Sequence, residues 1–180
     1  MGNKRSVLLV AATEIELCDL PGLACGVGPV EAAATMARHL ALDPPDAVLH
    51  VGIAGARGVT PGGLVIGSEA VYSDISAAVP VVDRIEPDPQ LLAALREAVP
   101  EALSLPIGTS AAVGGAADLR VEAMEGFAVL RACALAEVPA IEVRAISNEI
   151  SEGDRARWRI GRALEGLADA LPRMLEAAAQ

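Results

Sequence analysis

Aromatic side chains are almost missing: one Trp, one Tyr and one Phe in 180 residues. That removes stacking platforms for single-stranded nucleic acid and the cages that hold quaternary cations. Histidine is as scarce, with only His39 and His50, and the three cysteines (Cys18, Cys25, Cys133) form no CxxC spacing. No metal-ligand cluster is visible, and an odd number of unpaired thiols reads as reduced core residues. Basic residues are outnumbered 14 to 24, for a net charge of −10, and form no stripe. Binding a phosphate backbone needs clustered cations, so a nucleic-acid partner is disfavoured. No apolar run reaches the roughly 18 residues of a membrane span. The run after the start, Val7 to Thr13, is shorter than a signal peptide and precedes an acidic cluster. The expectation is a soluble, cytoplasmic protein with no membrane partner.

What the chain has is apolar residues, 53% of the total, in short blocks separated by glycine and proline. Ser6 to Thr13, Leu23 to Val27, Ala47 to Ile53, Leu64 to Tyr72, Leu103 to Gly108 and Ala140 to Ser147 read as strands. Val30 to Leu42, opened by Pro29, reads as a helix, as do Asp88 to Ala98, Met124 to Glu137 and Asp154 to Ala179. In the last, Trp158, Ile160, Leu164, Leu167, Leu171, Met174 and Leu175 fall near one face, and Pro172 should kink or end it. Buried strands alternating with helices predict an α/β sheet covered on both faces. No composition break or repeat divides the chain, so a single domain over 1–180 is expected.

The glycine turns exclude as much as they suggest. Gly26-Val27-Gly28-Pro29 precedes a helix but lacks the third glycine of a dinucleotide fingerprint, and GxxxxGK[ST] is absent. Val51-Gly52-Ile53-Ala54-Gly55-Ala56 is read as a strand ending in small residues, leaving room for a ligand above the sheet edge. Glu125 at a helix start and Arg144 within an apolar strand need partners or a function, and either an ion pair between them or a site would serve.

The segments LLVAATEIEL (8–17), CGVGPVEAAA (25–34), HVGIAGA (50–56), LVIGSEAVYSD (64–74), VEAMEGFAV (121–129) and VRAISN (143–148) resemble, in order, the nucleoside phosphorylase/nucleosidase superfamily. MEGFA, RAISN and the following DRARW are most similar to its futalosine-hydrolysing branch, with methylthioadenosine/adenosylhomocysteine nucleosidases next. The resemblance implies a three-layer αβα sandwich on a mixed β-sheet, with trimmed loops. It implies cleavage of a purine nucleoside N-glycosidic bond without cofactor or metal, in a homodimer or larger homo-oligomer. A small-molecule purine nucleoside is the expected partner, and futalosine the expected substrate. The alternatives are adenine-nucleoside hydrolysis, phosphorolysis, or nucleoside binding without turnover.

The same resemblance assigns roles. Glu16 corresponds to the acid that activates the attacking water, with Glu14 as the other register. Glu125 corresponds to the carboxylate on the ribose hydroxyls, and Met124 to the residue against the sugar. Arg144 lies near the nucleophile, Asn148 faces the purine, and Ile53, Ala54 and Gly55 line the substrate. An Asn amide can donate to O6 or N7 of a 6-oxopurine, where adenine-specific members carry Asp. His50 and Ile53 stand where phosphorylases carry an Arg and a Ser on phosphate, so hydrolysis is expected. The stretch 109–115 (TSAAVGG) offers no aromatic to stack on a base.

Overall fold

Three largely buried strands form the parallel centre of the sheet and carry the architecture. They are β1 (Val7–Ala11), β3 (Ala47–Ala56) and β8 (Ala140–Glu149), mutually parallel with β3 in the middle. The computed structural model describes residues 5–116 and 118–180. β2 (Leu23–Ala24) extends the sheet beyond β1. On the other side β4 (Leu64–Tyr72) runs antiparallel to β8, and β6 (Leu103–Thr109) lies parallel to β4. β5 (Arg84–Ile85) is a short edge on β4. β7 (Val121–Ala123) pairs with β6 and also, antiparallel, with the far end of β3.

The last pairing closes a ring, β3–β8–β4–β6–β7 and back to β3. Ala54, Ala56, Val65, Ile107, Val121, Ala123 and Ile146 form a separate apolar cluster on these strands. Helices α1 (Pro29–Leu42) and α3 (Gly126–Leu135) pack together over one face of the sheet. α2 (Pro89–Ala98) and α4 (Ile160–Ala178) cover the other, where Leu49, Val51, Ile141, Val143 and Ala145 meet Leu91, Leu95, Leu167, Leu171 and Met174. The result is the expected three-layer αβα arrangement on a mixed sheet.

Four expectations are corrected. The small-residue turn at Gly52 to Ala56 is instead strand, because β8 and then β7 pair β3 through Ala56. The helix expected from Met124 starts at Gly126, since Met124 and Glu125 leave β7 in an irregular step. The final helix starts at Ile160. Asp154 caps only a three-residue 3-10 turn, its carboxylate accepting from the Ala156 N–H, and Trp158 stays outside α4. Pro172 does not end α4, which runs to Ala178. Pro172 and Ala168 both face solvent, so the carbonyl deprived of its donor can be hydrated.

Candidate active site

Strand period and register put the polar groups on one face. β3 aligns His50 with Glu142 and Gly52 with Arg144 on β8, and alternate residues share a face. Val48 and Ala140, two residues earlier, pack under α1 and α3, so these groups point to that layer. At Gly52 there is no side chain, and a Cβ there would overlap Arg144 Nη1 and lie 2.8 Å from Glu16 Oε1. The guanidinium and the carboxylate thus face each other over a glycine.

Glu16 is brought in by the 3-10 turn Glu14–Leu17 after β1. Its Oε2 accepts from the Thr13 N–H (3.1 Å) and Thr13 Oγ1 (2.7 Å), and its Oε1 from the Ile53 N–H (2.9 Å). Three donors fix the carboxylate. Glu16 is buried and lies beside Arg144, while Glu14 is exposed.

Glu125 ends the step between β7 and α3. Its Oε1 accepts from the Gly28 N–H at 3.0 Å. Gly28 has φ 91°, a conformation that favours glycine, and this turn aims its N–H away from α1 and at the carboxylate. Arg144 Nη2 is 3.5 Å from Glu125 Oε2. The ion pair considered from sequence therefore exists, but loosely.

The tighter partners of Arg144 were missed. Its Nε–H donates to Glu142 Oε1 at 2.7 Å, and Nη2 approaches His50 Nε2 at 2.5 Å. His50 Nδ1 lies 3.2 Å from the Val10 carbonyl, so Nδ1 carries the proton and Nε2 accepts from the guanidinium. Burial, and then the Arg144 charge, hold His50 well below its ordinary pKa, despite the Val10 bond. The imidazole is neutral. Burial also pushes Glu142 up, with the guanidinium opposing. For Arg144 burial acts downward, but Glu142, Glu125 and Glu16 outweigh it and raise its pKa. Arg144 Nη1 and Glu142 Oε2 are buried without a partner. Cys25, nearby, has its thiol pushed up to about 11 by burial and the Glu125 charge, which leaves it a poor nucleophile.

Asn148 lies one step further along the same strands. The β3–β8 register slips between Ala54 and Gly55, leaving Ser147 as an extra residue, and such bulges re-aim side chains. Ser147 Oγ is 2.8 Å from Asn148 Oδ1 and 3.2 Å from the Ala54 carbonyl, and Asn148 Nδ2 donates to the Glu149 carbonyl at 3.0 Å. A Cβ on Gly55 would sit 3.1 Å from that nitrogen. Ile53 supplies its N–H, while its side chain packs toward the α2–α4 layer. Ala54 sits in the ring-strand cluster and reaches this corner through its carbonyl. Met124 is half-buried beside Glu125.

Opposite Gly55 on β7, the buried Glu122 accepts from the Gly114 N–H (2.7 Å) and Ala116 N–H (3.3 Å). Asp74 accepts from Ser110 Oγ (2.7 Å) and the Ala111 N–H (2.5 Å). Two carboxylates thus pin a small-residue loop beside Asn148. Among the described residues no group of His, Cys, Asp and Glu is arranged to hold a metal. Nor does any described helix have the length and apolarity to cross a membrane.

Carboxylates gather around a buried arginine on a ring-closed mixed sheet between two helical layers. The chain belongs to the phosphorylase superfamily, which matches residues 22–117. Within it, the chain is 37% identical to a futalosine hydrolase of Streptomyces coelicolor, over 84% of this chain and 77% of that protein. It is 31% identical to the futalosine hydrolase of Thermus thermophilus, over 85% and 80%. In fold it is similar to a 5'-methylthioadenosine/S-adenosylhomocysteine nucleosidase from Colwellia psychrerythraea solved with adenine. The TM-score there is 0.86 at 18% identity, covering 97% of this chain and 96% of that one.

Proposed function

We propose that the protein hydrolyses the N-glycosidic bond of futalosine, releasing hypoxanthine. The observation that carries the hydrolytic reading is that the unpartnered Arg144 Nη1 and Glu16 Oε1 are brought together over the bare Gly52. A water held there donates to the carboxylate and accepts from the guanidinium, with its free lone pair left for C1′. Glu125 accepts from the ribose hydroxyls, Met124 packs against the sugar, and the carboxylates offset the positive charge of an oxocarbenium-like transition state. Phosphate fits this site poorly. His50 is neutral with its acceptor nitrogen committed, Ile53 has no side-chain donor, and three carboxylates surround the one guanidinium.

The test is incubation with futalosine, inosine and methylthioadenosine, each with and without phosphate, reading free base by chromatography. Hypoxanthine should appear from futalosine without phosphate. A strict phosphate requirement makes the enzyme a phosphorylase, and no base from any substrate makes it a binding protein.

Asn148 reads the base in this proposal. One amide hydrogen goes to the Glu149 carbonyl, and the other is free for O6 or N7 of the purine. In Asn148→Asp a carboxylate oxygen replaces that donor and faces both the Glu149 carbonyl and purine O6. Opposed acceptors in a dry site cost about 1–3 kcal/mol, roughly 5- to 150-fold in rate. Specificity constants for matched hypoxanthine and adenine nucleosides should shift toward adenine, more so at lower pH where the protonated acid can serve N7. An unchanged ratio removes Asn148 from base recognition.

The protein acts as a homodimer or larger assembly. A groove of about 700 Å³ between α1 and α3 is lined mainly by alanines with Tyr72 and Phe127, and Val30 and Leu135 are 76% and 69% exposed. A second copy covering this apolar face would border the site, because Pro29 and Phe127 flank the Gly28–Glu125 contact. Light scattering reads the assembly directly.

A further inference from the structure

We infer that Glu142 is a positioning residue for hydrolysis, a role that rests on the hydrolytic reading above. It latches Arg144, together with His50, in the one orientation that leaves Nη1 for the nucleophile. An arginine has five N–H donors in a rigid fork, so fixing the Nε–Nη2 edge fixes where Nη1 points. Here Glu142 Oε1 takes Nε–H, and His50 Nε2 and Glu125 Oε2 take Nη2. Nη1 alone is left, beside Glu16.

Glu142 is seated with little freedom of its own. It is 1% exposed, and a Cβ at residue 126 would overlap both of its carboxylate oxygens. Gly126 is the first residue of α3 and follows Glu125 directly. The bare glycine lets the carboxylate lie against the helix start, where the partial positive charge favours an anion. One side chain therefore ties the arginine that faces the water to the helix start that presents the ribose carboxylate. A purely structural ion pair has no need to leave one guanidinium nitrogen unsatisfied in a buried site, since such a group is destabilising. A nitrogen kept free for a reacting molecule accounts for it.

The experiment compares wild type, Glu142→Gln and His50→Leu on futalosine in dilute methanol. In each turnover the C1′–N bond breaks with its electron pair leaving on the base. Oxygen of water or methanol then bonds to C1′ and gives its proton to Glu16, which returns it through solvent to the departed base, so that hypoxanthine leaves neutral and the carboxylate is regenerated. The ratio of methyl glycoside to free sugar reports how well water is held, independently of how much protein is folded. Glu142→Gln keeps an acceptor for Nε but loses the charge. Its kcat should fall about 10- to 100-fold, the scale of a misplaced reacting group, with KM changing much less. The methyl glycoside share should rise, and His50→Leu should move it the same way. If wild type is active without phosphate but neither variant changes kcat or the product ratio, Glu142 is only a structural partner and the inference fails. If wild type itself releases no base, or only with phosphate, the hydrolytic reading fails and this role goes with it.

Discussion

Glu16→Gln should lower kcat by about 10²–10⁴-fold, the usual range for removing a general base, while the protein stays folded. The amide is nearly isosteric, and an oxygen can still meet either the Ile53 N–H or the Thr13 donors. It cannot meet both, because the –NH₂ must then face the other donor. In neither orientation can the side chain take a proton from water. The matched variant Glu14→Gln, at an exposed position two residues away, should be near wild type in both turnover and melting temperature. Single-turnover rates and thermal melts of the two variants side by side are the measurement. Near-wild-type turnover in Glu16→Gln would assign water activation elsewhere.

The elements legible in the sequence are those with a chemical start signal. α1 opens on Pro29 after a positive-φ glycine. α2 opens on Pro89 after Asp88, whose carboxylate accepts from the Gln90 and Leu91 N–H groups. β4 matches its apolar block from Leu64 to Tyr72. The last helix misled because Asp154 is a real cap of the wrong element. After it the Arg159 N–H pairs with the Ser147 carbonyl, drawing the chain along β8 before α4 begins. β5 and β7, two and three residues long, leave no periodicity to read. The ring closure that β7 completes between β6 and β3 is a non-local pairing that no local pattern encodes.

Of the candidate site, Glu16, Glu125 and Arg144 do converge, and Asn148 lies further along β8 from Arg144. Glu142 was readable in principle. Two charges at alternate positions of an otherwise apolar strand, Glu142 and Arg144, must share a face, and that spacing alone argues an ion pair. His50 was not readable as a latch, because only the β3–β8 register sets it against Glu142.

The same convergence predicts a large stability effect. In Arg144→Met a flexible apolar chain fills most of the volume, but Glu142, Glu125 and Glu16 keep their burial and lose the shared cation. Removing one partner of a buried ion pair costs about 3–5 kcal/mol, since the remaining charges are left uncompensated. For a chain of this size that is a fall of roughly 6–20 °C in Tm. The deficit should depend on pH in a fixed direction. Burial already raises the Glu142 pKa, and the guanidinium that opposes this is gone in the variant. A carboxyl whose folded pKa lies above its unfolded value contributes stability that is present below the unfolded pKa and is lost as pH rises through the folded one. Arg144→Met should therefore fall further behind wild type as pH is raised, and recover toward it on mild acidification. Adding Glu142→Gln removes one stranded charge, so the double variant should regain about 0.5–3 kcal/mol relative to the sum of the single variants. Turnover should be lost in the double variant as in Arg144→Met, because no guanidinium lies beside Glu16 over Gly52. Denaturant melts of the four proteins across pH measure the coupling. Additive stability losses would mean that Glu142 and Arg144 do not act as a pair.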